Sequence, residues 1–438
     1  MTASAGSATL AGPDYQRLIE SDRVHGSLYT DPRVFADELA RIWYRTWVYV
    51  GHESEVPEPG DYTVKSIGPQ SVIMTRDSAG TIHLLMNRCS HRANQICEAP
   101  RGNSKALRCQ YHGWTFATDG TLLGYPFRQG YDGNGAKAAL GLGRVARVAS
   151  YRGFVFGSFA ADGPTLAEHL GPATEVFDRL LRLSPEGEVR ITAGWLQHVV
   201  QANWKLLVEN ETDGYHPQFV HASIFEVGQS GVGALYSEKS AATARDLGNG
   251  HTEHDLRPQF RALDVPLSWF GTTEERLPGY VKTMQELHGA TAAREILIDG
   301  SPHAMIFPNL FIAEIQMFVI QPLAVDRTVQ HVTPLQFAGA PDLNRRLLHQ
   351  VSGSVGPAGL LLADDSEMYE RNQRGAHSLE PEWLTLRRGL HREHIDEDGH
   401  LAGAATDETP QRGIWRQIRR LMTGPAAASP LVTDEEMA

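Results

Sequence analysis

"NRCSHRANQICEAPRGNSKALRCQYHGWTF", Asn87 to Phe116, holds all three cysteines of the 438-residue chain, together with His91 and His112. Soft ligands gathered in one stretch and absent elsewhere call for either disulfides or a metal. Three cysteines cannot all pair, and they are too sparse for a disulfide scaffold. Met1 to Leu10 has neither the charged nor the apolar region of a signal peptide, so a cytoplasmic location is expected. A metal site is the leading reading. Cys89-x-His91 and Cys109-x-x-His112, 17 residues apart, present two thiolates and two imidazoles from two loops. That set suits zinc, or a [2Fe-2S] cluster with two cysteines on one iron and two histidines on the other. Zinc knuckles usually open with Cys-x-x-Cys; here each loop supplies one Cys and one His, so each can reach both irons, and the spacing favours the cluster.

Outward from this stretch the composition is ordinary. Apolar residues make up 41% of the chain, enough for two or three domains with cores of their own. No run approaches the roughly 18 apolar residues of a membrane span, so no membrane partner is expected. The net charge is -12 and the 40 basic residues are scattered, which argues against nucleic acid.

The pattern along the chain is α+β. Residues 1–12 and 425–438 are small and polar and are expected to be disordered. In residues 13–160 a helix is signalled from Asp31 to Val48: Asp31 can cap it, Pro32 fits its first turn, and Phe35, Leu39, Ile42 and Trp43 recur on one face. "DYTVKSI", "SVIMTR" and "TIHLLM" read as an antiparallel meander, with the cysteine stretch in loops extending from it. Tyr151 to Phe159 closes this domain as a further strand. Residues 161–424 open with the amphipathic "TLAEHLGPATEVFDRLLRL". Strand-like "EVRITAGWLQHVVQ", helical "NWKLLVENE", the alternating "HAMIFPNLFIAEIQMFVIQPLAV" and "TVQHVTPLQF", and a late helix carrying "LLLADDSEMYERNQRG" follow. This second domain is expected to lay helices on an antiparallel sheet. Gly228 to Gly250 is too rich in Gly, Ala and Ser to assign.

The cysteine stretch resembles the Rieske motif, including "YHGWTF" and "DGTLLGYP" downstream. It is the oxygenase version: the respiratory version adds a disulfide-forming cysteine to each box, whereas Gln110 and Tyr111 stand beside Cys109 and His112 here. The resemblance implies an N-terminal Rieske [2Fe-2S] β-sandwich domain with cluster loops 87–116 and with Cys89, His91, Cys109 and His112 as cluster ligands. Gly102 and Gly113 are expected to let the backbone close on the cluster, and Tyr111 and Trp114 to shield it. Cys97 is expected as a buried free thiol. Ala93 departs from the Gly that commonly follows His-Arg in the family.

A lone electron carrier needs only about a hundred residues, and this chain is far longer. In "NWKLLVENETDGYHPQFVH", Asn203-Trp204-Lys205, Glu209-Asn210, Asp213, Tyr215-His216 and His221 resemble the mononuclear-iron motif of the large (alpha) subunits of Rieske non-heme iron ring-hydroxylating oxygenases. Such an iron takes two imidazoles and one carboxylate on one face, leaving positions open for dioxygen. The resemblance makes His216 and His221 ligands and places the carboxylate at Asp365, with Asp364 and Glu367 as competitors. It also gives Asn210 a catalytic position. Asp213 becomes the bridge by which electrons cross from the cluster ligand His112 of the next chain to His216, in a head-to-tail trimer. His83, His198, His303 and His331 lie in strand-like alternation and read as core or edge residues, although His303 falls where family members line the substrate cavity.

The function so implied is hydroxylation of an aromatic small molecule with O2, electrons passing from the cluster to Fe(II) of the neighbouring subunit. Neither a Rossmann fingerprint nor a flavin site is visible, so an NAD(P)H-dependent reductase is expected as partner, with or without a ferredoxin. A small beta subunit would turn the homotrimer into an α3β3 assembly. "RGLHREHIDEDG" and "TPQRGIWRQIRRLM" look like the tails of subunits acting on benzoate- and salicylate-type acids, yet "IFPNLFIAEIQMFVIQP" carries no Arg or Lys to hold a carboxylate. Monooxygenation or demethylation is the alternative within the class, and a pure electron-transfer protein the alternative outside it.

Overall fold

The computed structural model describes residues 12–131, 137–228 and 235–424, so both expected disordered tails lie outside the described residues, Gly12 excepted. The meander forms where alternation and short turns dictate it. Asp61–Ile67, Gln70–Arg76 and Ile82–Met86 pair antiparallel, and Arg101–Asn103 extends the sheet at the edge of Asp61–Ile67. A second small sheet, Leu107–Arg108, Thr115–Phe116 and Leu122–Gly124, carries the second cysteine loop between its first two strands. A third joins Arg147–Tyr151, Phe154–Ser158 and Val48–His52.

The helix read from Asp31 to Val48 is shorter than its apolar spacing suggests. Asp31 accepts the Arg33 N–H and Pro32 opens the helix, but α-helical bonding ends at Glu38, widens through one turn at Leu39–Trp43 and stops. Val48 already begins a strand. The run Val48-Tyr49-Val50 is β-branched and aromatic, which suits a pleated surface, and pairing with Phe154–Ser158 wins over helical continuation.

The second half of the chain is built on a nine-stranded antiparallel sheet. Its order is Leu196–Val200, Arg327–Pro334, Gln316–Ala324, Leu310–Ala313, His303–Ile306, His251–Asp255, Thr243–Gly248, Leu401–Ala404 and His394–Ile395. Of the strand-like "EVRITAGWLQHVVQ" only Leu196–Val200 joins it as a strand, while Val189 makes one isolated bridge to Phe337. Thr243–Gly248 comes from the stretch left unassigned, of which residues 229–234 lie outside the described residues. Alternation sorts the sheet into two faces. Met305, Phe311, Phe318 and Val332 turn toward Trp204, Leu207 and Val208 of the helix Trp204–Glu211, whereas Ala304, Ile306, Leu310 and Ile312 turn toward Phe177, Leu180 and Leu297.

Two fastenings tie the N-terminal residues to this sheet. Asn309 accepts the Tyr49 N–H at 3.0 Å and donates to the Tyr49 carbonyl at 2.9 Å, and Tyr49, Phe154 and Phe156 share one core with Phe177 and Ile306. Glu38 forms a fully buried salt bridge with Lys205, and its other oxygen accepts Trp204 Nε1–H at 2.8 Å. Removing one partner of such a pair strands a buried charge, a loss of about 3–5 kcal/mol.

His251 gives the fold a pH dependence. Its Nδ1 accepts the Phe307 N–H at 3.0 Å, so its Nε2–H donates to the His169 carbonyl at 2.7 Å and the ring is held neutral. Burial pushes its pKa from 6.5 down to about 4. Below pH ~6.5 the unfolded chain takes up this proton and the folded one does not, so stability falls as pH drops through that window. Thermal melts should show a midpoint that declines from pH 7 to pH 5, and His251→Gln should flatten the decline; an unaltered slope would rule out His251 as its source.

Candidate metal centres

The two cysteine loops are built alike. Cys89 N–H donates to the Asn94 carbonyl and its own carbonyl accepts Ala93 N–H; Cys109 N–H donates to the Trp114 carbonyl and its carbonyl accepts Gly113 N–H. Each loop therefore turns through a residue four positions past its cysteine, and both turning residues are left-handed, Ala93 at φ 57° and Gly113 at φ 71°. Glycine adopts this conformation without strain and alanine does not. The cysteines point inward, 2% and 1% exposed, while His112 lies at the surface. The His91 and His112 rings are 4.5 Å apart, His91 stacks flat on Trp114 at 5.0 Å, and Asn94 Nδ2 approaches Cys109 Sγ at 3.7 Å. Burial opposes ionisation of Cys109, but the Tyr111 and His112 N–H groups together with the Cys89 and Asn94 side chains outweigh it and lower the thiol pKa.

Of the supporting residues, Trp114 is buried, but Tyr111 is 62% exposed and covers only the His112 ring, at 3.8 Å, so it does not shield the pair of loops. Gly102 does not serve the loops either. It sits opposite Tyr62 in the edge strand, where an added Cβ would meet the Tyr62 hydroxyl at 2.8 Å. Cys97 is buried and unpaired, its thiol pushed up to about 11 by burial.

The second constellation is assembled by three elements. Asn203 caps the helix Trp204–Glu211 by accepting the Lys205 N–H. Beyond it, His216 and His221 flank the single turn Pro217–Val220, whose Pro217 fits the first helical position. Asp365 comes from the long helix Leu360–Ala376. Asp365 Oδ1 lies 3.5 Å from His216 Nε2 and 3.2 Å from His221 Nε2. One ligand atom from each of the three residues lies within 4.8 Å of the others. The competitors are elsewhere: Asp364 is 42% exposed and faces His221 Nδ1 at 3.8 Å, and Glu367 pairs with Arg371 at 2.7 Å. Asp213 Oδ1 accepts the Tyr215 N–H at 2.6 Å and the His216 N–H at 3.3 Å, leaving Oδ2 3.9 Å from His216 Nδ1. Asn210 Oδ1 accepts the Tyr369 hydroxyl at 3.0 Å, which ties it to the helix of Asp365.

Sequence reasoning missed the support behind Asp365. Ser366 Oγ lies 3.5 Å from His198 Nδ1, His198 Nε2–H donates to Gln330 Oε1, and Gln330 Nε2 donates to Glu211 Oε1 at 2.6 Å. Burial and nearby Asp365 raise the Glu211 pKa well above the usual carboxylate range. No spacing signals such a chain, because its members meet only once two helices pack against the paired strands of His198 and Gln330. His83 and His331 each have a partner, Asp77 at 2.8 Å and Gln321 at 2.9 Å.

The donors fit the metals that the motifs call for. Asp365 Oδ1, facing His216 Nε2 and His221 Nε2, is buried without a hydrogen-bond partner among the described residues, as is His91 Nδ1 at the cysteine loops. Buried polar atoms of this kind signal an ion or its ligand shell. Among the described residues, only His216, His221 and Asp365 converge tightly enough to surround one ion, so the four Cys and His donors are spread wider than a single zinc would hold them.

Residues 46–147 match the Rieske [2Fe-2S] domain family, and residues 182–424 match the ring hydroxylating alpha subunit (catalytic domain) family. The chain belongs to the ring-hydroxylating oxygenase alpha subunits. As a member of that family it is an oxidoreductase of the Rieske dioxygenase type, and a [2Fe-2S] cluster and Fe(II) are its cofactors. This alpha subunit is 31% identical over 400 residues to toluate 1,2-dioxygenase subunit alpha of Pseudomonas putida, covering 83% of each chain. It is 36% identical over 201 residues to N,N-dimethyl phenylurea N-demethylase subunit alpha of Sphingobium sp. (strain YBL2), covering 45% of this chain and 44% of that one. Its structure is similar to naphthalene 1,2-dioxygenase with indole bound in the active site, with a TM-score of 0.82 and 25% identity over 95% of this chain and 96% of that one. Among the described residues, no helix of this alpha subunit is long and apolar enough to cross a membrane.

The left-handed turns make a stability prediction for the cluster loops. Gly113→Ala would place a Cβ 3.1 Å from Pro126 at positive φ and should lower stability by about 1–2 kcal/mol. Ala93→Gly should raise it, since relief of about 1–2 kcal/mol of strain exceeds the entropy that glycine adds to the unfolded chain. Thermal midpoints of the two variants, read beside wild type, should move in opposite directions.

Proposed function

We propose that this chain is a terminal oxygenase that hydroxylates an aromatic small molecule, with Cys89, His91, Cys109 and His112 holding the cluster and His216, His221 and Asp365 holding Fe(II). The observation that carries the mononuclear site is the convergence of His216 Nε2 and His221 Nε2 on the buried, partnerless Asp365 Oδ1. When bound, the cluster would relay single electrons and Fe(II) would activate dioxygen beside the ring. The chain's own residues prepare that chemistry. Burial keeps His216 neutral, so its Nε2 lone pair is available on the side facing Asp365. Glu211, Gln330 and Tyr369 hold the helix of Asp365 against the helix that precedes His216.

Asp213 serves as the electron bridge. One of its oxygens is tied down by two backbone N–H groups, and the other is left between the His216 ring and solvent, its side chain 32% exposed. His112 of a neighbouring chain is the group we assign to the solvent side, which makes a head-to-tail ring of three the working assembly, alone or with a beta subunit as α3β3. A separate NAD(P)H-dependent reductase, through a ferredoxin or directly, supplies the electrons. Demethylation is the second reading, favoured by the 36% identity to the phenylurea N-demethylase over 45% of this chain and 44% of that one.

Metal analysis and product detection test the assignment together. Asp365→Ala should leave the visible spectrum of the cluster intact while mononuclear iron and product are lost, whereas Asp364→Ala should retain both. The reverse outcome would move the ligand by one residue. Asp213→Asn should keep the cluster, the mononuclear iron and the trimer, yet lose nearly all turnover, about a hundredfold or more. Wild-type turnover in that variant would sink the bridging role.

A further inference from the structure

A cavity of about 730 Å³ opens in the seam between the two halves of the chain, and none of the cluster or iron ligands lines it. Small organic molecules occupy cavities of roughly 300–1,000 Å³, and domain seams are a favoured place for them. The small domain contributes Thr63, Val64 and Lys65 of the strand Asp61–Ile67, and the large sheet contributes Gln197, Val319 and His331. Gln197 and Val319 each pair with His331, so these three form one row on one face of the sheet. Gln330, next to His331, turns to the other face with its strand partner His198. The cavity and the groups that support Asp365 therefore lie on opposite sides of the same strands.

The walls combine apolar surface with an excess of positive charge. Val50, Pro57, Ile191, Trp195 and Val319 supply hydrocarbon and ring. Among the described residues the charged groups are two cations, Lys65 and Arg101, against one anion, Glu55, in a chain whose net charge is -12. Glu55 is fully engaged: Oε1 accepts from Lys65 at 2.5 Å and from Trp195 Nε1–H at 2.8 Å, and Oε2 accepts the His52 N–H at 2.9 Å. Lys65 is not. An ammonium has three N–H groups; one goes to Glu55, and the Trp195 ring, 4.9 Å from Nζ, offers a π face rather than a lone pair. The Lys65 side chain is only 12% exposed, so water does little to answer the remainder. Arg101 is exposed and forms no ion pair among the described residues. His331 adds no charge, because burial and then Lys65 push its pKa down to about 4, and it is bonded to Gln321 at 2.9 Å.

We propose that this seam cavity is a second binding site, separate from the iron, for an aromatic monocarboxylate. Lys65 holds the carboxylate from inside, Arg101 attracts it from the rim, and Trp195 with the aliphatic walls packs against the ring. A neutral aromatic would forgo the charge-assisted bonds, and a cation would meet the positive excess. Because the walls come from both halves, the ligand binds only the assembled chain and stabilises the seam.

Benzoate and benzamide have nearly the same shape and differ in charge. Calorimetric titration of the iron-loaded protein should give benzoate a Kd at least about tenfold lower than benzamide. Asp365→Ala, with its cluster absorbance intact, should keep that benzoate affinity. Lys65→Gln retains an N–H for Glu55 and should weaken benzoate about tenfold; Arg101→Gln, at the exposed rim, should weaken it about threefold. Thr192→Trp fills the cavity from an exposed position on its wall and should abolish binding. In crystals of the iron-loaded protein soaked with 4-iodobenzoate, an iodine anomalous peak should stand beside Trp195. Benzamide binding as tightly as benzoate, benzoate binding lost in Asp365→Ala or unchanged in Thr192→Trp, or an iodine peak at the iron site alone would overturn the second site while leaving the mononuclear-iron reading in place.

Discussion

The catalytic half is organised around a charge that the protein alone leaves unanswered. Asp365 Oδ1 is buried between two imidazoles with no hydrogen bond of its own, an arrangement that costs several kcal/mol unless a cation completes it. Each neighbouring element limits how far these three groups can relax away from one another. A single helical turn fixes the separation of His216 and His221, and the long helix of Asp365 is tied to the opposite side through Tyr369, Gln330 and His198. Beneath them the buried Glu38–Lys205 pair anchors the helix that leads into the histidines.

The cysteine loops solve a related problem by repetition. Two turns of the same hydrogen-bond pattern each deliver an inward cysteine and an outward histidine. Covered thiolates and near-surface imidazoles give such a centre a direction: the protected side faces the core and the imidazole edge faces whatever partner docks. Ala93 shows that the pattern, rather than glycine itself, is what the turn requires, since alanine takes up the same left-handed position at the expense of local strain.

Much of this was legible in the sequence because ligand chemistry is local. Cys89, His91, Cys109 and His112 sit in one stretch, and His216 and His221 in another, so residue type and spacing sufficed. Asp365 is some 144 residues from His221 and could be chosen over Asp364 and Glu367 only through resemblance; the structure singles it out by burial. What escaped was whatever depends on register. Gly102 was read by its proximity in sequence to the cysteines, but its strand partner is Tyr62. His331 carries no motif, and its position beside Gln197 and Val319 exists only once three strands are paired. The helix from Asp31 overran for the converse reason: an apolar face at helical spacing cannot announce that a strand is waiting at Val48 to pair with Gly157, 109 positions later.

The exchange between Tyr49 and Asn309, and the core that Tyr49 and Phe156 share with Phe177 and Ile306, bear on how such proteins can be recombined. A cluster unit that owned its whole core could be transplanted as a cassette, carrying its redox properties to a new host. Here the strand that closes the small domain is also a wall of the large one. Grafting residues 46–147 onto another catalytic half would import one side of an interlocking surface without its complement, so in this lineage electron donor and oxygen-activating site are constrained to diversify as a matched pair.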